Sequence, residues 1–195
     1  MAGKLNDENS GMAKQPETVQ RESRYNRVSS YILEKEIIFM SLTYQTASIE
    51  DLELLTATRI QVLRAANGLG EKKDLSFVEH KSREYYEHAL ADKSHKAYLV
   101  FDGAVFAGAG GISYYRVMPT VHNPTGWKAY IMNMYTAPEY RRQGIATRIL
   151  DLLVEDAKAR GIHHISLEAT EMGRFLYEHY GFVRMESEME LPVNV

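Results

Sequence analysis

Cysteine is absent from all 195 residues, so disulfides, thiolate zinc sites, iron–sulfur clusters and a cysteine nucleophile are excluded. Apolar runs are short as well: none approaches the roughly 18 to 20 residues of a membrane-crossing helix, and the N-terminus lacks a signal peptide's basic-then-apolar order. The expected setting is therefore the cytoplasm, with no membrane partner. Positive charge is not in excess, since 23 Lys and Arg face 26 Asp and Glu for a net charge of −3, and nucleic acid is not an expected partner. Metal-ligand spacing is missing too. His163 and His164 are neighbours on a strand and point to opposite faces, and no H-x-x-x-H or clustered Asp/His set occurs, so no metal is expected.

What is present suits a single globular domain. A hydrophobic content of 45 % supplies one sizeable core. Residues 1–39 are polar with mixed charge and too few apolar groups to offset ordering entropy, so they are expected to be a disordered extension. Within that region only "SSYILEKEIIFM" has the composition for a short helix or strand. The compact domain is expected to span 40–195.

From Leu42 the pattern becomes regular. "LTYQTAS" reads as a strand, and Ser48 with Asp51 forms a capping signal for a helix that puts Leu52, Leu55, Ile60 and Leu63 near one face. Ser76 with Glu79 marks a second helix. "KAYLVFDG" and "AVFAGAGGISYYRV" form a hairpin at Asp102-Gly103, and "KAYIMNMYT" follows as a further strand. The helix "EYRRQGIATRILDLLVEDAKARG", the strand "HHISLEAT", the helix "EMGRFLYEHYG" and a terminal strand or two in "FVRMESEMEL" complete the order β-α-α-β-β-β-α-β-α-β. This is an α/β domain with a mixed sheet.

The helix opening "EYRRQGIA" carries Arg141 and Arg142 where the helix dipole favours acids. A strand leading through a glycine turn into a helix N-terminus exposes unpaired backbone N–H groups, a geometry suited to phosphate, and Gly144 lets the backbone approach closely. A pyrophosphate between the arginines and the helix end would make the charges consistent; two solvated arginines and a packing glycine are the alternative. The Walker pattern is absent. The Rossmann fingerprint fails because "GAGGIS" lacks its third glycine and sits in a strand.

R-x-x-G-x-A at Arg141, Gly144 and Ala146, followed by "LYEHYGF" at 176–182, resembles the GNAT superfamily of acetyl-CoA-dependent N-acetyltransferases, over about residues 41–192. The resemblance implies a mixed, mostly antiparallel sheet of six or seven strands flanked by about four helices. It implies acetyl-CoA as cosubstrate, with backbone groups of Met134, Tyr135 and Thr136 meeting its acetyl and pantetheine portion. Arg141, Arg142, Gln143, Gly144, Ile145, Ala146 and Thr147 would hold the pyrophosphate. Tyr177 matches the family's frequent tyrosine, facing the cofactor sulfur. Thr170 stands where an asparagine often precedes that tyrosine, and it marks a further cofactor contact.

The implied chemistry is attack of an amine on a thioester, which needs a stabilised carbonyl oxygen, a base and a proton for the leaving thiolate. Tyr177 is the candidate acid. Glu168 is the candidate base, or alternatively an acid on a solvated strand face. Tyr130, Asn133, Tyr85, Tyr86, His88 and Trp127 are candidates for lining the acceptor site, with core packing the alternative for the helical aromatics. The expected partner is a small-molecule amine, and a homodimer is compatible with the family. A peptide N-terminal acetyltransferase and a non-catalytic acyl-CoA sensor are the competing functions.

Overall fold

The computed structural model describes residues 42–191 apart from 187. The expected extension over 1–39 and the short element in "SSYILEKEIIFM" lie outside the described residues. The strands are β1 (Leu42–Thr46), β2 (His95–Asp102), β3 (Val105–Arg116), β4 (Trp127–Thr136) and β5 (Ile165–Leu167), with aromatic and β-branched residues in most of them and a glycine-alanine run at the centre of β3. The helices are α1 (Leu52–Ala66), α2 (Ser76–Ala91), α3 (Ile145–Ala159) and α4 (Glu171–Tyr180). One sheet runs β1-β2-β3-β4-β5. β3 is antiparallel to both β2 and β4, whereas β5 is parallel to β4. No described helix is long and apolar enough to cross a membrane.

The mixed, mostly antiparallel sheet with four helices is as expected, but its size differs: five strands are present among the described residues rather than six or seven. The described residues of 182–191 contain no strand. Met185, Met189 and Leu191 alternate with glutamates, which reads as a strand, but all three are exposed. Period-two alternation supplies a face to bury and no partner ladder.

Two caps also separate pattern from outcome. Ser48 and Asp51 do form a reciprocal box: the Glu50 N–H donates to Ser48 Oγ (3.2 Å) and the Ser48 N–H to Asp51 Oδ2 (2.8 Å). It caps a short 3-10 turn, Ile49–Asp51, that feeds α1. Ser76 does not cap α2. Leu75 occupies the cap position, and the Ser76 N–H donates instead to Asp74 Oδ1 (2.9 Å). An aspartate two residues upstream is the better-placed acceptor.

Helix α3 lies on one face of the sheet and fixes the site. Ile145, Ile149, Leu150 and Leu153 on its apolar stripe are completely buried. The glycine run of β3 clears the way for it. A Cβ at Gly110 would come 2.5 Å from Ile149 Cγ2 and 2.6 Å from Met134 Sδ, and one at Gly108 would come 2.8 Å from the Tyr135 carbonyl. "GAGG" therefore serves helix-to-sheet packing. At the far end of α3, Asp156 accepts from Lys96 Nζ and Tyr114 Oη, both at 2.6 Å. The opposite face carries α1 and α2, held together by an ion pair from Arg83 to Glu53.

Candidate active site

The site starts from a fault in β4. Met132 pairs with Gly111 and Tyr135 with Ala109, so Asn133 and Met134 together oppose Gly110. This is a β-bulge, and Asn133 takes the left-handed φ of 56° that such an extra residue needs. Asn133 is buried; its Nδ2 donates to Tyr86 Oη at 3.4 Å, and its Oδ1 has no partner. The β4–β5 ladder ends at Ile131 and Leu167, two residues before the bulge. That early end is why the expected strand "HHISLEAT" shortens to three residues. Beyond it, the Met134–Thr136 backbone has a ladder partner only on the β3 side.

After Thr136 the chain makes a 3-10 turn, Pro138–Tyr140, before α3 begins at Ile145. The helix was expected from Glu139; it starts later because Arg142 (φ 64°) and Gly144 (φ 85°) are left-handed and cannot be helical. Arg141 and Arg142 thus precede the helix and are exposed. The turn is braced from several sides. Arg141 Nε donates to the Thr136 carbonyl (3.3 Å), Gln143 Nε2 to the Glu139 carbonyl (3.1 Å) and Tyr140 Oη to Asp102 Oδ2 (3.2 Å).

Gly144 occupies the cap position of α3 with no side chain to accept a hydrogen bond, and the first turn contains no acid. The first helical bond is from the Arg148 N–H to the Gly144 carbonyl, at 3.0 Å. The N–H groups of Ile145, Ala146 and Thr147 are consequently free of intrahelical acceptors at the positive end of the dipole. Thr136 Oγ1, at the mouth of the turn, is buried without a partner. A left-handed turn, an uncapped helix start and an orphaned hydroxyl in one continuous strand-turn-helix fit an anionic phosphate group.

The remaining candidates sit on the next two elements. Tyr177 of α4 is buried, meets Phe182 edge-on at 6.1 Å and lines a cleft of about 690 Å³ together with Leu167 and Ala169. Burial raises its pKa, so it is a protonated donor at neutral pH. Among the described residues its hydroxyl bonds to none of the other candidates. Thr170 is the cap of α4, its Oγ1 accepting from the Gly173 N–H at 3.2 Å. Glu168 is exposed just beyond β5 and acts on Tyr130 of β4. Burial first, then the charge and hydrogen bonding of Glu168, push the Tyr130 hydroxyl up to about 12.

On the α2 side, Tyr85 Oη, His95 Nδ1 and Ser113 Oγ form a closed triangle of 2.5–3.2 Å. Sequence reading named Tyr85 and passed over His95 and Ser113, which only the β2–β3 register brings together. His88 is exposed, and Trp127 carries the Arg116 guanidinium over its ring at 5.5 Å.

A bulged strand that parts from its neighbour beside a turn open to phosphate is not the dinucleotide-binding arrangement, which needs a glycine-rich turn between parallel strands. The model of the "Acetyltransferase (GNAT) family" matches residues 65–182. The chain belongs to that family, whose acyl donor is acetyl-CoA. It is 31 % identical over 116 residues to N-alpha-acetyltransferase 30 of Schizosaccharomyces pombe, covering 58 % of this chain and 73 % of that protein. It is also 31 % identical over 87 residues to the N-acetyltransferase YsnE of Bacillus subtilis, covering 42 % of this chain and 52 % of that protein. Among solved structures, a predicted acetyltransferase from Clostridium acetobutylicum determined with acetyl-CoA superposes with a TM-score of 0.72 at 34 % identity, covering 77 % of this chain and 96 % of the other.

Proposed function

We propose that this chain is an N-acetyltransferase that moves the acetyl group of acetyl-CoA to a primary amine of a small molecule, by direct attack in a ternary complex. The observation that supports it most is the uncapped start of α3 reached from the bulged end of β4 through a single 3-10 turn. Acetyl-CoA supplies the activated thioester. Backbone N–H groups from Arg142 to Thr147 hold its pyrophosphate, with the exposed Arg141 and Arg142 adding charge. Backbone donors along Met134–Thr136 stabilise charge on the acetyl carbonyl oxygen, next to the bulge that leaves them without a β5 partner. Tyr177 gives its proton to the departing sulfur. Glu168 takes the proton of the attacking amine. Thr170 starts α4 and so places Tyr177, and its hydroxyl, which accepts as a cap, keeps its proton to donate to the cofactor.

The similarity to N-alpha-acetyltransferase 30 favours a second reading, in which the acceptor is a peptide N-terminus. Thiol release from acetyl-CoA, measured against a panel of small primary amines and of short peptides, separates the two. Turnover with small amines supports the proposal, and turnover confined to peptides supports the second reading. A chain that binds acetyl-CoA but releases no thiol with any amine or peptide is the sensor, and that result would falsify both.

A further inference from the structure

Helix α1 holds a charge that its packing does not explain. Arg59 is one turn beyond Leu55 and Thr56 and one turn before Leu63, on the stripe that α1 turns toward the rest of the domain, where Leu55 and Thr56 are each 1 % exposed. It is itself half-buried. A guanidinium on a buried stripe is costly unless a carboxylate or a set of acceptors meets it. Arg83, Lys96 and Arg160 each have a carboxylate partner, whereas no described carboxylate pairs with Arg59.

Its surroundings point toward the bulge. α1 packs against β4, and the positive charge of Arg59 acts on the hydroxyls of both Tyr85 and Tyr86, opposing the effect of burial. The Tyr86 hydroxyl is the one that receives the Asn133 carboxamide. Three buried polar atoms in this neighbourhood have no partner: Thr56 Oγ1, one turn before Arg59 on the same stripe, Asn133 Oδ1 at the bulge, and Nε2 of His95, whose ring meets those of Tyr85 and Tyr86 edge-on. Buried orphans are uncommon in folded proteins, and each is a place where a ligand group completes the hydrogen bonding. The hydroxyl shares its helix stripe with the guanidinium, a pairing suited to an anion, and the carboxamide oxygen on the strand that α1 packs against is suited to an N–H donor.

We infer that Arg59 and Thr56 form a carboxylate subsite, so that the acceptor is a small molecule bearing both a primary amine and a carboxylate, of the amino-acid class. A carboxylate is favoured over a phosphate because one planar guanidinium matches a single carboxylate charge bidentately, whereas a phosphate dianion calls for more than one cation. Asn133 Oδ1 then orients the amine beside the acetyl position. The inference rests on the N-acetyltransferase reading above.

Matched acceptors test it: the common amino acids, and the same compounds as amides, assayed for thiol release with the full chain and acetyl-CoA. Wild type is expected to prefer the acids in kcat/KM. Arg59→Met is expected to lower kcat/KM for the acids roughly 10- to 100-fold, mainly through KM, and to bring the acid-to-amide ratio near one. Arg59→Lys, which keeps the charge and loses the fork, is expected to recover part of that preference. Equilibrium titration of a preferred acid into CoA-saturated protein provides a second readout: its affinity falls in Arg59→Met while that of acetyl-CoA does not. Equal use of acids and amides by wild type, or an unchanged ratio in a folded Arg59→Met variant, overturns the subsite and leaves the amine reading intact. Absence of thiol release with every amine overturns both.

Discussion

The hydroxyl of Tyr86 lies 3.4 Å from Asn133 Nδ2, which ties the buried face of α2 to the bulge in β4. Tyr86 is 3 % exposed and Asn133 6 % exposed, so the contact is part of the core and also the wall nearest the parting of β4 and β5. The residue that bends the strand is thereby held by α2.

Asn133 has two separable functions, its left-handed backbone and its side-chain bond. Asn133→Gly keeps the first and loses the second, and it should destabilise the protein by about 1 kcal/mol. Asn133→Val loses both, since a β-branched residue is strained at φ 56°, and should cost about 2–4 kcal/mol. Urea unfolding measures the difference. Equal stabilities would mean that the bulge does not depend on the left-handed residue.

Gly144→Val should weaken acetyl-CoA binding and also destabilise the fold by roughly 1–3 kcal/mol, because φ is 85° there. Gly144→Asn separates the two effects, because asparagine tolerates this conformation. It should stay near wild-type stability while its side chain crowds the phosphate approach. Calorimetric titration with acetyl-CoA reads the affinity, and an unaltered Kd in both variants would remove the turn from the binding site.

For Tyr177→Phe the proposal predicts a drop in kcat of about 10²-fold with the Kd for acetyl-CoA nearly unchanged. Only the hydroxyl is removed from a buried ring, so packing against Phe182 persists. Wild-type turnover in the variant would take the acid role away from Tyr177.

Stability should also fall in mild acid because of His95. Burial lowers its pKa from 6.5 to about 4, so the unfolded chain binds a proton between those values and the folded chain does not. Stability conferred by the neutral ring is therefore complete above pH 6.5 and is lost as the pH falls toward 4, by up to about 3 kcal/mol. Chemical denaturation across this range should give a smaller decline for His95→Gln than for wild type. Parallel curves would show that His95 does not control the acid limb.

Local signals were the legible ones. The strand-turn-helix around Gly144 could be read because Arg141, Gly144 and Ala146 are within six residues of one another, and the helix that carries Tyr177 because its spacing is local. Features made by pairing were not. Nothing adjacent to Asn133 announces a bulge, and only the register with β3 reveals that two residues oppose one. The Tyr85–His95–Ser113 triangle needs α2, β2 and β3 at once. Where a local pattern misled, as in 182–191, it described a face without the neighbour that would bury it. Arg59 escaped notice because the hydrophobic positions of α1 define its stripe equally well without it.

The most direct test of the account is the product itself: the full chain incubated with acetyl-CoA and a panel of small amines, followed by mass spectrometry of the acceptors. The account predicts CoA released in a one-to-one ratio with an acceptor carrying a single acetyl group on its amine nitrogen. CoA released without any acetylated amine, or acetylation found on oxygen alone, would contradict it.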